Sequence, residues 1–192
     1  MKRVIAMLLA LACVMGLVAC GNNAQGGETT TTPAAQDQVA SALEILETVW
    51  GSYADDEKFF AMGGDMNNMV DNAPGAYSLE DEGLTATLLV PADQIANLDE
   101  AASLVHGMML NNFTCGAYHV TGDVNAFAEA MYTAISTNPW ICGQPEKLIV
   151  AIVGGEYVVA MFGINDAINP FEAKLTEAYP NTNFVYNEAI AG

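Results

Sequence analysis

Residues 148–162, LIVAIVGGEYVVAMF, decide the predicted fold. Two apolar runs, Leu148–Val153 and Tyr157–Phe162, stand on either side of Gly154 and Gly155. Runs of this length that are rich in β-branched and aromatic residues predict strands. Two glycines between such runs predict a hairpin, because glycine tolerates the positive φ that a tight hairpin turn requires. The stretch therefore predicts two antiparallel strands joined by a short turn.

The segments on either side of this hairpin alternate between strand and helix patterns. Phe113–Val120 predicts a strand, and Asp123 is a suitable N-cap for a helix with apolar residues at positions 127, 131 and 135. After the hairpin, Asn169 and Pro170 resemble a helix start, and 184–186 predicts a last strand. The order from residue 113 onward is thus β-α-β-β-α-β, which is the order of a ferredoxin-like plait.

The preceding residues add further elements to this plait. Apolar residues at positions 39, 43, 46 and 50 predict an amphipathic helix that ends near Gly51. Residues 53–83 are interrupted by turn signals. Residues 84–90 predict a strand, and a helix beginning at Asn97 or Asp99 would carry apolar residues on one face. The predicted fold class is α+β, a ferredoxin-like plait with an extra N-terminal helix and βα unit.

The chain begins with MKRVIAMLLALACVMGLVACGNN, residues 1–23. Two basic residues precede an apolar segment, Val4–Cys20, which is shorter than the roughly 20 residues that a membrane-spanning helix needs. Leu17-Val18-Ala19-Cys20 followed by Gly21 resembles the lipobox of bacterial lipoprotein precursors. The resemblance implies cleavage before Cys20 and a diacylglycerol on its thiol. An ordinary signal peptide or an uncleaved anchor is the alternative interpretation.

This resemblance sets the predicted domain organisation and location. Residues 1–19 are the predicted signal peptide, residues 20–37 the lipidated Cys20 and a tether, and residues 38–192 a single domain. The tether is rich in Gly, Thr, Asn, Gln and Ala, a composition that favours a flexible coil. We expect the protein at the cell membrane, held by its lipid anchor on the extracytoplasmic face.

Charge excludes one class of partner. From residue 20 onward, 23 acidic side chains stand against three lysines and no arginine, a net charge of −20. A nucleic-acid-binding protein needs lysine and arginine to displace counterions from phosphates, so we expect no nucleic-acid partner. A cationic partner, a divalent metal or a basic cell-wall component stays open, and a charge that serves solubility alone is the simpler interpretation.

Two cysteines, Cys115 and Cys142, remain after Cys20 is lipidated. An even pair in an oxidising compartment predicts a structural disulfide, with two free thiols or a redox pair as the alternatives. The segment around Cys142 lacks the second cysteine of a C-x-x-C redox motif.

Other chemical motifs are weak. The segment Asp65–Asp71 lacks the ligand spacing of an EF-hand. Met62, Met66 and Met69 have the spacing of one helical face, which predicts packing, with Cu(I) binding by thioethers as the alternative. Cys115 and His119 stand about 13 Å apart on one strand, too far to act as a nucleophile and its base. His106 is expected to be exposed beside the apolar face of its helix.

These patterns predict no catalytic residue, no metal site and no cofactor. Trp140-x-Cys142-x-x-Pro145-Glu146, the hairpin 148–162 and the helix after Asn169 are similar to small uncharacterised domains of Gram-positive lipoproteins. That resemblance implies no activity and no site residues. The predicted function is a membrane-anchored lipoprotein with a binding or structural role and a protein or cell-wall partner. The alternatives are a metal- or small-ligand-binding lipoprotein and a tethered cell-envelope enzyme.

Overall fold

The computed structural model describes residues 37–141 and 143–190. Its helices are α1 (Ala42–Gly51), α2 (Gly83–Ala86), α3 (Val124–Ser136) and α4 (Asn165–Ala178). Its strands are β1 (Ala61–Gly63), β2 (Val70–Asp71), β3 (Gly75–Ala76), β4 (Leu98–His106), β5 (Phe113–Val120), β6 (Lys147–Val153), β7 (Tyr157–Gly163) and β8 (Asn183–Ala189). Short 3₁₀ segments span Ala92–Asn97 and Leu110–Asn112.

The eight strands form one antiparallel sheet in the order β2-β1-β4-β5-β7-β6-β8. Strand β3 lies off this path and pairs with β4 beyond the end of β1, so that β1 and β3 follow one another along the same edge of β4. The hairpin predicted from residues 148–162 is β6 and β7, and its Gly154 and Gly155 have φ values of 60° and 85°.

Helices cover both faces of the sheet, and each face has its own apolar core. Helices α1 and α4 pack on one face, which we call the first face; its buried residues include Trp50, Phe113 and Phe171. Helix α3 and the segment 77–98 pack on the second face, around Tyr118 and Phe127. Because neighbouring residues of a central strand point to opposite faces, β5, β6 and β7 are apolar almost throughout.

The α+β class is confirmed, but the strands do not have the order of a ferredoxin-like plait. In that plait the last strand lies beside the first, here β5, whereas β4 occupies this place and β8 lies beside β6. Two connections cross over a strand: β5–α3–β6 passes β7, and β7–α4–β8 passes β6, both toward the same edge of the sheet. Their first strands, β5 and β7, run antiparallel to each other. Because such connections are right-handed, α3 and α4 must lie on opposite faces of the sheet, as observed.

The predicted extra βα unit is wrong. Residues 84–90 contain α2 and a turn in which Leu89 has a φ of 59°, and residues 98–106 form strand β4 instead of a helix. Helix α4 begins at Asn165, before the predicted start at Asn169, and Pro170 lies inside it. The backbone N–H of Asn165 donates to a carboxylate oxygen of Glu146 at 2.8 Å, so a residue distant in sequence fixes this start.

The two ends of the sheet carry different parts of the chain. At one end, the carboxylate of Asp37 accepts two hydrogen bonds from Asn181, both at 3.0 Å, and the backbone of Asp37 approaches the β6–β7 turn at Gly154. At the other end, the 3₁₀ segment that contains Leu110 leads into β5. The eight residues of β5 separate these ends by roughly 25 Å.

The predicted signal peptide, residues 1–19, Cys20 and the predicted tether up to residue 36 lie outside the described residues, as does Cys142. The predictions made for them stay predictions. In the described part of the chain, no helix has the length and apolar character needed to cross a bilayer.

Candidate functional site

A pocket of about 690 Å³ lies on the second face of the sheet, beside β1 and β4. Its floor includes Met62 of β1 and Val105 of β4, which are directly paired, and the buried Ser103. The loop of residues 64–69 forms one wall, and the segment Tyr77–Gly83 forms another. Ligand sites of proteins commonly have volumes of 300–1,000 Å³ and mainly apolar linings, and this pocket has both properties.

Two glycines at the junction of β1 and β3 allow this wall to form. A side chain on Gly63 would collide with the backbone of Ala73, Pro74 and Gly75, and one on Gly75 would collide with the backbone of Gly63 and Gly64. Both glycines pair with β4, opposite neighbouring residues of that strand. Only residues without a Cβ permit two short strands to meet at this point of the sheet edge.

Asp65 holds the loop of the first wall in place. The residue is 3 % exposed, and its carboxylate accepts hydrogen bonds from the backbone N–H groups of Asn67, Asn68 and Ser78 at 2.8, 3.0 and 3.0 Å. Burial raises the pKa of this carboxyl, but the donors of Ser78, Asn67 and Asn68 outweigh burial and lower it. Asp65 thus ties the loop to the segment that follows Tyr77.

Tyr77 and Asp81 shape the second wall. The Tyr77 hydroxyl bonds to the side chains of Asp81 and Thr87, and a Cβ on Gly83 would strike it. Burial, followed by the charges of Asp81 and Asp65, raises the pKa of Tyr77 to about 12. The backbone N–H of Gly83 donates to the Asp81 carboxylate at 2.8 Å. Tyr77 therefore stands as a neutral, fixed aromatic side chain in the pocket at physiological pH.

Negative charge dominates the rim of the pocket. Glu80 and Glu82 are exposed there and Asp81 is half-buried, and the described lining includes no Lys, Arg or His. The three lysines of the described chain are paired elsewhere: Lys58 lies 4.0 Å from Asp55, Lys147 lies 2.7 Å from Glu172, and Lys174 lies 3.2 Å from Glu57. The rim charge is thus not balanced by a neighbouring cation.

The mouth of the pocket is also unusually apolar. Met66, Met69 and Leu110 line it and are 77 %, 51 % and 44 % exposed. Phe60, Met108 and Met109 are exposed nearby, at the end where β1 meets the turn after β4. Exposed apolar side chains that cluster around a cavity mark ligand or partner surfaces, and methionine is common at such surfaces because it is flexible and polarisable.

One buried polar atom on this face of the sheet has no hydrogen-bond partner among the described residues. The Tyr118 side chain is completely buried and its hydroxyl is unpaired. Its ring lies along β5 over Gly116, the cross-strand partner of Ser103, which lines the pocket. Burial is the first cause that raises the pKa of Tyr118. The hydroxyl therefore stays protonated, and it lies on the same face of the sheet as Ser103, outside the lining of the pocket.

The structure brings some of the sequence-predicted residues together and separates others. Met62, Met66 and Met69 line one pocket, but they lie on a strand and a loop, so the predicted helical face is wrong. Cys115 and His119 both lie on β5, as predicted, four residues apart. His106 ends β4, half-buried, with its ring stacked on Phe59 and its Nδ1 accepting from the N–H groups of Met108 and Met109.

The predicted Cys115–Cys142 disulfide stays a prediction, because Cys142 lies outside the described residues. The structure records Cys115 as a free thiol, 0 % exposed in the core of the first face. Burial raises the pKa of this thiol, which makes it a poor nucleophile. Asn111, four residues before Cys115, donates from Nδ2 to the carbonyls of Ile141 and Gly143, the two described neighbours of Cys142.

A second polar cluster surrounds His119 at the opposite end of the sheet. His119 Nδ1 lies 2.5 Å from Asp99 Oδ1, and Nε2 lies 3.9 Å from Glu156. Its ring packs against Tyr157, with ring centres 4.8 Å apart. Within residues 37–141 and 143–190, no group of three or more His, Cys, Asp or Glu side chains is arranged to hold a metal ion.

No family model, curated protein or solved structure matches the chain. The residues of the pocket therefore carry the functional conclusion.

Neither wall was predicted from sequence. The segment Asp65–Asp71 and the group of Met62, Met66 and Met69 stand out in the sequence, whereas Tyr77 and Ser103 give no signal. The motif that marks the site in retrospect is the set of paired turn residues, Gly63-Gly64 and Pro74-Gly75, on either side of Asp65.

Proposed function

We propose that this protein is a membrane-anchored extracytoplasmic lipoprotein whose domain binds a small, largely apolar molecule in the pocket beside β1 and β4. The observation that carries the binding role is the combination of a cavity of about 690 Å³ with exposed Met66, Met69 and Leu110 at its mouth. A purely structural domain gains nothing from exposing these side chains, whereas a ligand that covers them recovers about 25 cal/mol for each Å² of apolar surface removed from water.

The construction of the walls supports this role. Asp65 fixes one wall through backbone hydrogen bonds, and Asp81 with Thr87 fixes the Tyr77 side chain of the other. A site whose walls are held before binding loses less conformational entropy when the ligand arrives. The flexible methionines at the mouth then adapt to the ligand's shape.

The binding role is tested with N-phenyl-1-naphthylamine, a neutral dye whose fluorescence rises in an apolar site. We expect saturable binding to the domain. Val105→Phe, which places a larger side chain on the floor, should weaken binding at least tenfold. Val185→Phe, a matched change of a half-buried valine on β8, should leave it unchanged. Absence of saturable binding, or equal effects of both variants, contradicts the proposal.

The anchor is tested separately in the native cell. The lipobox resemblance of residues 17–21 supports lipidation at Cys20. Growth with an alkyne-bearing fatty acid should label the protein in the membrane fraction, and Cys20→Ser should abolish both labelling and membrane retention. Recovery of unlabelled protein that begins at Met1 contradicts this part of the proposal.

A further inference from the structure

We propose that the ligand of the pocket beside β1 and β4 is an organic cation, an ammonium group attached to an apolar body. This inference rests on the proposed function, that this pocket is a ligand site, and adds the charge of the ligand to it.

The positions of the charged groups around the pocket indicate that the ligand carries a positive charge. Glu80, Asp81 and Glu82 stand consecutively at the rim, and the pocket's described lining contains no basic side chain. The three lysines at positions 58, 147 and 174 all pair with acidic side chains outside this pocket. Against an overall formal charge of −18, an anion would meet repulsion at every approach, whereas a cation would be drawn toward the mouth.

Not all acids of the pocket are available to a ligand. The Asp65 carboxylate is occupied by backbone donors on both oxygens, and Asp81 already accepts from Gly83 and Tyr77. Glu80 and Glu82 make no side-chain ion pair in the described structure and are exposed. These two glutamates are therefore the groups that would face the ammonium of a bound ligand.

The volume and the lining of the pocket indicate that the ligand also has an apolar body. A bare metal ion occupies a small fraction of about 690 Å³, and Met62, Met66, Val105 and Leu110 offer apolar contacts that such an ion does not use. An alkyl or aryl group fills this space. Tyr77 adds an aromatic ring, and the electron-rich face of an aromatic ring attracts quaternary ammonium groups electrostatically.

The experiment compares three probes with the same decyl chain: decyltrimethylammonium, decyl maltoside and decanoate, each below its critical micelle concentration. Binding to the tag-free domain is measured by isothermal titration calorimetry at low salt. We expect the cation to bind at least tenfold more tightly than the neutral probe, and decanoate to give no measurable binding. Increasing NaCl should weaken the cation's binding and leave that of the neutral probe unchanged.

Two matched variants test whether the preference for the cationic probe comes from the acidic side chains at the rim. Glu80→Gln/Glu82→Gln should weaken decyltrimethylammonium binding three- to tenfold and leave decyl maltoside binding unchanged. Asp56→Asn/Glu177→Gln removes the same charge from two exposed sites outside the pocket and should change neither. All four side chains are exposed, so both variants should fold.

The outcomes separate the two proposals. Equal binding of the cationic and neutral probes, with loss of both in Val105→Phe, overturns the inference about charge and leaves the pocket as a ligand site. Binding of no probe overturns both proposals. Cation binding that Val105→Phe leaves intact places the cation elsewhere on the acidic surface and overturns the inference.

Discussion

At the scale of single residues, Asp65 combines burial with a full set of donors. Asp65 is 3 % exposed as a residue, and three backbone N–H groups and the Asn68 amide donate to its carboxylate in place of water. A charged acceptor bound by several amides stabilises a loop more than a neutral one does. Asp65 therefore acts as the central acceptor around which residues 64–78 are arranged.

We predict that Asp65→Asn lowers the free energy of unfolding by about 2–3 kcal/mol, because the amide cannot accept on both sides and hydrogen bonds to a charged group contribute about this much. Chemical denaturation at pH 7 measures the loss. Asp71→Asn, an exposed acid on β2, is the control and should change stability by less than about 0.5 kcal/mol. Equal effects of the two variants would contradict this role for Asp65.

The same carboxylate gives a pH dependence. Because the folded-state pKa of Asp65 is lowered, its contribution is present above the unfolded-state value of about 3.9 and is lost as the pH falls through the folded-state pKa. We therefore predict that the stability difference between the wild type and Asp65→Asn narrows steadily below about pH 4. A difference that stays constant from pH 7 to pH 3 would show that the carboxylate charge is unimportant.

Cys115 gives a prediction about reactivity. Because its side chain is fully buried and burial raises its pKa, the structure predicts a thiol that iodoacetamide labels only in denaturant. Peptide mass mapping without reductant measures this. A Cys115–Cys142 linked peptide in the native protein would establish the disulfide that the sequence predicts and rule out the free thiol.

At the scale of elements, the junction of β1 and β3 depends on glycine. We predict that Gly63→Ala lowers the free energy of unfolding by about 2 kcal/mol or more, because the added methyl group meets backbone atoms that have no free space to move into. Thermal and denaturant unfolding measure the change.

Gly51→Ala is the matched control for that prediction. Gly51 ends α1, and nothing lies within 4 Å of a Cβ added there. This substitution should be neutral or stabilise by up to about 1 kcal/mol, because alanine loses less backbone entropy in a helix. A tolerated Gly63→Ala would mean that β1 and β3 meet less closely than described.

Elements that depend on local sequence signals were predicted correctly, and elements that depend on long-range pairing were not. Strands β5, β6 and β7 and helix α3 were predicted well, because apolar runs, a glycine turn and the Asp123 cap are local signals. Strand β4 was predicted as a helix because both its faces are covered, so that buried residues follow one another without alternation from Ala101 to Leu104.

The pocket was not predictable in the same way. Its floor and walls come from β1, β4 and the segments after residues 63 and 76, which meet only through pairing across the sheet. The sequence identified Met62, Met66 and Met69 as a group, but no local pattern places them beside Ser103 and Tyr77. The strand order was not predictable either, because it depends on the long-range pairing of β4 with β5.

At the scale of the whole molecule, charge is the dominant feature. A formal charge of −18 on 192 residues creates repulsion within the folded domain, and few lysines offset it. We predict that raising NaCl from 10 to about 300 mM increases the melting temperature of the domain by a few degrees, since salt screens these repulsions. Calorimetry measures the shift, with glucose at equal osmolarity as the control. A melting temperature that falls with salt would indicate that attractive ion pairs outweigh the repulsion.

The attachment of Asp37 beside the β6–β7 turn, roughly 25 Å along β5 from Leu110, has a consequence for access to the binding site. The methionine-lined mouth of the pocket therefore lies nearer to the opposite end of the sheet from residue 37, the first described residue. Under the lipid anchor that we propose at Cys20, a ligand would then reach the cavity from the surrounding medium and would not have to pass between the protein and the lipid headgroups.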